Sequence, residues 1–319
     1  MSSPVWLNDD SPFHRGEQEA QSRAGMREKM ESIGQRVIRD FMIEQHREFF
    51  DQLPFIVIGA VDQNGLPWAS ILAGSVGFLS SPDSQTLRVN AHPLPEDPLA
   101  NAIREGADVG LLGIDLHTRR RNRLNGRIVD VVSNGFAIQV AQSFGNCPKY
   151  IQQRSLSFFE IGDAYVAPSR RVMERLDSIA ASLIQSADTF FIATHYNHDN
   201  HSHSNGVDVS HRGGMPGFVR IDDDRTLIWP DFIGNSFFNT LGNLMVNPRA
   251  GLLFPNFETG DLLYVSGRGE VIWEGDEIKT FAGAQRLVRL FIEQIIHLPK
   301  ALSLRWRFEE YSPFLDQNN

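Results

Sequence analysis

VSHRGGMPGFV, residues 209–219, places a histidine and an arginine beside three glycines in a strand-rich region. A relative of this stretch lies about 140 residues earlier: SILAGSVGFLSSPDSQTLRVN (70–90) aligns without a gap with SHRGGMPGFVRIDDDRTLIWP (210–230). The identical pairs are Ser70/Ser210, Gly74/Gly214, Gly77/Gly217, Phe78/Phe218, Asp83/Asp223, Thr86/Thr226 and Leu87/Leu227. The chain therefore contains an internal repeat.

Two further alignments indicate that the repeat is a tandem duplication. GLLGIDLHTRRRNRLNGR (110–127) aligns with GLLFPNFETGDLLYVSGR (251–268), and CPKYIQQRS (147–155) aligns with LPKALSLRW (298–306). A period of this length corresponds to a domain and not to a solenoid repeat. We predict an N-terminal helix with a first domain at 1–165 and a linker helix with a second domain at 166–319.

Short β-rich runs separated by turn signals dominate both copies. Because strands and helices do not alternate regularly, we expect a mainly β fold of the α+β class, with antiparallel barrels and flanking helices. The spacing of apolar residues predicts one amphipathic helix over 25–50. We also expect a short helix near 98–106 in the first copy and near 236–246 in the second, a helix closing each copy, and a linker helix within 166–187.

The composition is that of an ordinary globular protein, with 41% hydrophobic and 22% charged residues. A formal charge of −9 argues against a general binder of nucleic acid or membrane surfaces. The single cysteine, Cys147, excludes an internal disulfide and fits a reducing compartment. The first residues do not resemble a secretory signal, and we expect a cytoplasmic protein with no nucleic-acid or membrane partner.

Arg212 stands among glycines, and this arrangement suits an anion. A guanidinium binds a phosphate through two parallel N–H groups, while glycines let backbone N–H groups approach the same ligand. Alternatively, Gly213, Gly214 and Gly217 only permit a bulge, and Arg212 is a solvated surface charge.

VSHRGGMPGFV, followed by RTLIWPDFIGNSFFNTLGNLMVNPRAGLLF (225–254) and VSGRG (265–269), resembles the pyridoxamine 5'-phosphate oxidase-related FMN-binding split-barrel proteins. The likeness runs from Phe190 to Arg268 and extends weakly over the first copy. It implies two split β-barrels that form a pseudo-dimer within one chain, with FMN bound between them. The residues that the resemblance assigns to the cofactor are Ser210, His211, Arg212, Gly213, Asp231, Gly234, Asn235 and Asn239 from the second copy, and Lys149 and Arg154 from the first.

The sequence departs from that family pattern in the helix after Gly234 and Asn235. Relatives often carry an arginine there, whereas this chain has Phe237 and Gly242. Lys149, Arg154 or the arginine-rich run at 119–123 would have to supply the missing charge, although the run could also be a barrel-edge strand. The first copy has Ile71 and Leu72 in place of His211 and Arg212, so we expect one phosphate site per chain, centred on the second copy. A flavin on Trp68 and the turn at 74–78 is the weaker alternative.

The resemblance implies an FMN-dependent oxidoreductase that takes a hydride or an electron pair from NAD(P)H or another small molecule. No side chain demands a role as acid or base, so the catalytic residues stay unassigned. The alternatives are a non-catalytic flavin-binding module, an electron-transfer partner of a reductase, or a barrel that has lost its cofactor. The pseudo-dimer could also pair into a homodimer.

Two other features carry weaker alternatives. The histidines His195, His198, His201, His203 and His211 could bind a metal ion, but their position at a hairpin tip favours a solvated loop, and we expect no metal site. The segment AGSVG (73–77) resembles a nucleophile elbow but is followed by a strand and a turn instead of a helix, which argues against a hydrolase.

Overall fold

The structure, a computed structural model, describes residues 6, 10–158, 168–197 and 204–315. Its helices are α1 (Arg15–Arg23), α2 (Arg27–Val37), α3 (Glu44–Asp51), α4 (Ser178–Ser186) and α5 (Asn239–Val246), with a 3₁₀ helix at Asp276–Thr280. The strands up to the linker are β1 (Phe55–Val61), β2 (Pro67–Ala73), β3 (Leu79–Asp83), β4 (Thr86–Val89), β5 (Asp108–Asp115), β6 (Arg120–Val132), β7 (Gly135–Asn146), β8 (Gln153–Phe158) and β9 (Arg171–Met173). Those that follow are β10 (Thr189–Tyr196), β11 (Gly206–Gly213), β12 (Arg220–Asp223), β13 (Thr226–Asp231), β14 (Arg249–Pro255), β15 (Leu262–Ile272), β16 (Arg286–Leu298) and β17 (Leu304–Glu310).

Two antiparallel sheets with the same topology form the body of the protein. The first has the order β2-β1-β5-β6-β7-β4-β3, and the second has the equivalent order β11-β10-β14-β15-β16-β13-β12, with β9 added beside β16. The register agrees with the sequence alignment: Ile58 pairs with both Ser70 and Leu111, and Ile192 pairs with both Ser210 and Leu252. The predicted fold class is confirmed.

Glycines allow the two sheets to approach each other closely at equivalent places. A Cβ on Gly110 would lie 2.3 Å from the carbonyl oxygen of Val207, and a Cβ on Gly251 would lie 2.1 Å from that of Pro67. Val207 and Pro67 occupy matching positions of β11 and β2, so each half makes the same contact with the other. This reciprocity is that of a twofold interface, here formed within one chain.

A two-stranded ribbon joins the ends of the two copies. In it β8 pairs antiparallel with β17, and Arg154 lies opposite Phe308. The expectation of a closing helix in each copy was therefore wrong, because each closing segment pairs with its own duplicate. The predicted domain boundary, between 165 and 166, lies outside the described residues.

The helices differ from the predicted set in two places. The helix expected over 25–50 is interrupted after Val37, because Ile38 is extended and Arg39 forms a backbone bridge with Ser143, leaving α2 and α3 as separate helices. The segment near 98–106 forms turns, whereas α5 and α4 lie where helices were expected. Among the described residues, no helix has the length and apolar character that crossing a bilayer requires.

Candidate functional site

A cavity of about 1000 Å³, including the part open to solvent, lies where the two halves meet. Its second-half wall comes from the end of β11, the loop after β13 and the start of α5, and its first-half wall comes from β6 and the segment after β7. The predicted residues that line it are Ser210, His211, Arg212, Gly213, Asp231, Gly234, Asn235, Asn239 and Lys149. The fold therefore brings together residues that are far apart in the chain.

Gly213 marks the contact between the halves beside this cavity. A Cβ at Gly213 would lie 2.0 Å from the carbonyl oxygen of Tyr150, a residue of the first half. Gly217 has a positive φ of 86° and open space around its Cα, as a turn glycine does. The glycines thus serve both a turn and a close approach of two chain segments.

The arginine-rich run at 119–123 supplies two cations to the cavity. Arg121 and Arg123 are two residues apart on β6 and point to one face of the strand, whereas Arg120 lies over the ring of Phe49 at 4.4 Å. Since β6 is hydrogen-bonded on both sides by β5 and β7, the expectation of a barrel-edge strand was wrong. The two arginines reach the second-half site because β6 packs against β11.

These two arginines differ in their partners. Arg123 is 3% exposed, pairs with the carboxylate of Asp208 and donates to the hydroxyl of Ser210. Arg121 donates from Nε to the carbonyl oxygen of Cys147 at 2.6 Å. Burial, with Arg212 nearby, lowers the pKa of Arg121 to about 9. Arg121 keeps most of its positive charge at neutral pH without a carboxylate partner in its hydrogen bonds, which favours an anionic ligand.

Arg212, Asp231 and Arg286 form a second charged group in the same cavity. Asp231 lies 3.3 Å from Nε of Arg286, and burial raises its pKa while Arg212 and Arg286 oppose that shift. Among the described residues, the buried Nε of Arg212 and Nη1 of Arg286 have no hydrogen-bond partner. Because unpartnered buried donors are costly, these atoms indicate a ligand with several acceptor oxygens.

His211 is 4% exposed, and neither ring nitrogen has a hydrogen-bond partner in the part of the chain that the structure describes. Its ring meets that of Phe191 edge to face, with centroids 5.8 Å apart. Burial and the nearby cations Arg121 and Arg212 lower its pKa well below the usual value. The imidazole is therefore neutral at physiological pH and can give one hydrogen bond and accept another.

The N-terminus of α5 opens into the cavity without a side-chain cap. Its N-cap residue, Phe238, is in the left-handed region at φ 64°, and Ser236 is there too at φ 61°. Residues 239–241 at the start of the helix line the cavity. Free N–H groups and the helix dipole make such a terminus favourable for an anion.

Two of the predicted residues make contacts within the protein. Asn235 accepts a hydrogen bond from the backbone N–H of Phe237 at 3.1 Å, which holds the loop before α5. The Asn239 side chain donates to the carboxyl group of Glu17 in α1. Both residues line the cavity, but these contacts indicate that they shape its wall.

The prediction that Arg154 lies at this site was wrong. Arg154 does not line this cavity: its Nη2 donates to both carboxylate oxygens of Asp188, at 2.6 and 2.7 Å, and its guanidinium lies over Phe257. Residue 154 belongs to the β8–β17 ribbon, and its side chain lines a second cavity together with Asp188. Lys149, in contrast, does line the cavity.

The departures from the family pattern have a packing explanation. Phe237 is buried against Phe13 and Phe144, with ring centroids 5.3 and 5.7 Å away. A Cβ on Gly16 of α1 would lie 2.2 Å from the carbonyl oxygen of Gly242, so the two helices cross in close contact at these glycines. An arginine at position 242 would therefore displace α1, and the cations come from β6 and β16 instead.

The equivalent place in the first half is filled by side chains. Tyr264 occupies the position that matches Arg123, and its hydroxyl donates to Asp97 at 2.7 Å. Asp97 also accepts from the hydroxyl of Ser70, the counterpart of Ser210. Trp68 is 1% exposed and donates to Asp62, so the alternative flavin position on Trp68 finds no support.

The histidine cluster lies largely outside the described residues, which exclude His198, His201 and His203. His195 contacts the side chain of Asn247 at 2.9 Å, and His211 lines the cavity. Among the described residues, no three His, Cys, Asp or Glu side chains are grouped as metal ligands.

Sequence reasoning missed Arg286 and Tyr150 as lining residues. Arg286 is 8% exposed and lies between the rings of Phe238 and Trp273, at 4.8 and 5.2 Å from their centroids. No motif surrounds it, and only the pairing of β16 with β13 brings it beside Asp231. Tyr150 directly follows Lys149, and its hydroxyl donates to the carbonyl oxygen of Ile233 across the cavity wall at 3.2 Å.

No protein-family model and no curated protein match the chain. Among solved structures, HupZ of Group A Streptococcus is 16% identical over 40% of this chain and 98% of its own, with a TM-score of 0.32. An FAD-binding protein from Mycobacterium smegmatis is 13% identical over 40% and 99%, with a TM-score of 0.28. An FMN-binding protein from Syntrophomonas wolfei is 14% identical over 37% and 88%, with a TM-score of 0.26. Likenesses of this size do not establish a family.

Proposed function

We propose that this protein binds FMN in the cavity between its two halves and acts as a flavin-dependent oxidoreductase. The observation that carries the proposal is the set of buried guanidinium atoms without partners, on Arg212 and Arg286, beside the uncapped start of α5. A phosphate monoester has the charge and the acceptor oxygens that these donors need. The motif order from Ser210 to Arg268 adds the resemblance to FMN-binding split barrels.

Each lining residue has a distinct part in this proposal. Arg212, Arg286 and the first N–H groups of α5 hold the phosphate, and Arg121 adds positive charge from the first half. His211, neutral and without a partner, hydrogen-bonds an uncharged polar edge of the ligand. Tyr150 and Gly213 close the wall between the halves. The bound flavin would supply the redox chemistry, which is the exchange of a hydride or an electron pair with NAD(P)H or another small molecule.

A second candidate is a flavin-binding module that passes electrons to a reductase and does not itself turn over a substrate. It is favoured by the buried ion pair of Asp231 with Arg286, which occupies the one carboxylate among the described lining residues of the cavity. Anaerobic mixing of the FMN-loaded protein with NADH or NADPH separates the candidates, since only the enzyme loses its flavin absorbance at a rate that rises with donor concentration.

The binding proposal is tested by titrating the purified protein with FMN, riboflavin and FAD. We expect one FMN per chain, and we expect Arg212→Met to weaken FMN binding about 10- to 150-fold, the loss of one charge-assisted hydrogen bond. Riboflavin, which lacks the phosphate, should bind wild type and variant alike. Arg268→Met, at an exposed arginine of β15, is the control.

Three results would overturn the proposal. A protein that binds no flavin cannot be a flavoprotein of this kind. An Arg212→Met variant with unchanged FMN affinity would mean that the phosphate lies elsewhere. If FAD binds as tightly as FMN, FAD takes the place of FMN as the proposed cofactor.

A further inference from the structure

A second cavity lies between the end of α4, the start of β10, the end of β14 and the strand β17. It encloses about 830 Å³, including space open to solvent, and it is formed by residues of both copies because β8 and β17 pair there. The proposed flavin site accounts for none of its features.

Aromatic rings form much of the wall of this groove. Phe257 and Trp306 are buried and meet edge to face, with centroids 5.3 Å apart. Phe308 is 38% exposed and lies 4.6 Å from the ring of Tyr311. Two rings at the opening and two below them offer surfaces on which a flat aromatic molecule can stack.

Two buried polar atoms in the groove are without a partner among the described residues. Nη1 of Arg154 and the hydroxyl of Thr189 make no hydrogen bond to any of these residues, although the two residues are only 7% and 1% exposed. The matching groove of the first half has Pro54 and Phe55 where this one has Asp188 and Thr189. Arg154 lines both grooves, so the hydroxyl of Thr189 is the polar group that only the second groove has. Unpartnered buried donors indicate a ligand acceptor.

The charge around the groove limits the kind of acceptor. Both oxygens of the Asp188 carboxylate accept from Nη2 of Arg154, so the positive charge is already neutralised. The groove also has Glu258 on its wall, which adds a negative charge. A second carboxylate or phosphate would meet repulsion there, whereas an uncharged carbonyl would not.

We propose that this groove binds an uncharged, planar aromatic molecule whose carbonyl oxygen accepts hydrogen bonds from Arg154 and Thr189. The ring stacks on Phe308 and Tyr311. The side chain of Gln152 connects this groove to the chain segment after Gly213, since it donates to the carbonyl oxygens of both Asp188 and Gly214.

The experiment uses 7-methoxycoumarin as the probe and ligand-observed NMR to measure its dissociation constant with the full chain. Naphthalene, flat but without an acceptor, and coumarin-3-carboxylate, with a negative charge, are the comparison probes. We expect 7-methoxycoumarin to bind at least about 3-fold more tightly than either comparison probe. It can accept one hydrogen bond that naphthalene cannot.

Variants then locate the binding. Phe308→Ala removes a stacking surface and Thr189→Val removes the unpartnered hydroxyl at nearly constant shape, and each should weaken binding about 3- to 10-fold. Thr189→Val should not lower the thermal stability of the ligand-free protein, which separates a ligand-binding hydroxyl from a structural one. Phe291→Ala, at a similarly exposed phenylalanine on β16, should leave binding unchanged.

The proposal is overturned if 7-methoxycoumarin does not bind, if binding is the same in Phe308→Ala and Thr189→Val as in wild type, or if the carboxylate binds more tightly than the neutral probe. None of these outcomes bears on FMN binding, which is measured in a different cavity.

Discussion

The buried pair Arg123–Asp208 joins the two halves. We expect the loss of either charge to lower the free energy of unfolding more than the loss of an exposed charge. Asp208 also accepts from the side chains of Asn125 and Asn243, at 2.8 and 2.9 Å. Asp208→Ala leaves the guanidinium of Arg123, only 3% exposed, without its counter-charge. Breaking a buried pair in this way costs about 3–5 kcal/mol in the free energy of unfolding.

That loss is measurable by chemical and thermal denaturation followed by circular dichroism. For a chain of 319 residues the shift is about 1.5 °C per kcal/mol, so the melting temperature should fall by roughly 4–8 °C. Arg123→Met should cost a similar amount because it leaves the buried carboxylate of Asp208 without its counter-charge. The double variant removes both charges, so its cost should be smaller than the sum of the single costs by about 1.5–3 kcal/mol.

A second arginine–aspartate pair, whose arginine is also on β6, provides the control. Arg127 and Asp108 are also joined, at 2.9 Å, but their side chains are 63% and 28% exposed. Since exposed pairs contribute at most about 1 kcal/mol, their double-mutant cycle should show little coupling. Equal coupling in the two cycles, or additive effects of Arg123→Met and Asp208→Ala, would refute the reasoning that burial makes the first pair important.

Two further predictions concern pH and packing. His14 is buried, and burial lowers its pKa from 6.5 to about 4, so stability should be lost as the pH falls from 6.5 towards 4, by up to about 3 kcal/mol. His14→Asn, which can still cap α1, should show a flatter dependence when urea midpoints are compared over this range. Gly213→Ala should destabilise the protein by about 1–3 kcal/mol and weaken FMN binding, because the new methyl group would meet the carbonyl oxygen of Tyr150.

Both predictions have clear contrary outcomes. If wild type and His14→Asn lose stability in parallel on acidification, the titrating group is another one, such as His46, whose pKa burial also lowers to about 4. Gly145→Ala serves as the control for Gly213→Ala, because its methyl group would have 3.7 Å to the nearest atom outside its chain neighbours. Equal denaturation midpoints and FMN affinities for the two alanine variants would contradict the close-contact explanation.

The sequence by itself indicated the duplication and determined the mainly β class, and it predicts that the candidate site lies on the second copy. Ile71 and Leu72 in place of His211 and Arg212 are visible without a structure, because side-chain chemistry at aligned positions needs no coordinates. The structure agrees in strand order and fills the first-half counterpart of the site with Tyr264, Asp97 and Ser70.

Only the tertiary structure decided which cations face the cavity. Arg121 and Arg286 line it while Arg154 pairs with Asp188 elsewhere, although all three are arginines in or beside strands. The sequence did not predict the helix break after Val37, because the break depends on a backbone bridge between Arg39 and the distant Ser143. Local sequence specifies the face of a strand on which a side chain lies, but its neighbours depend on how the two halves pack, and that is set by contacts between segments far apart in the chain.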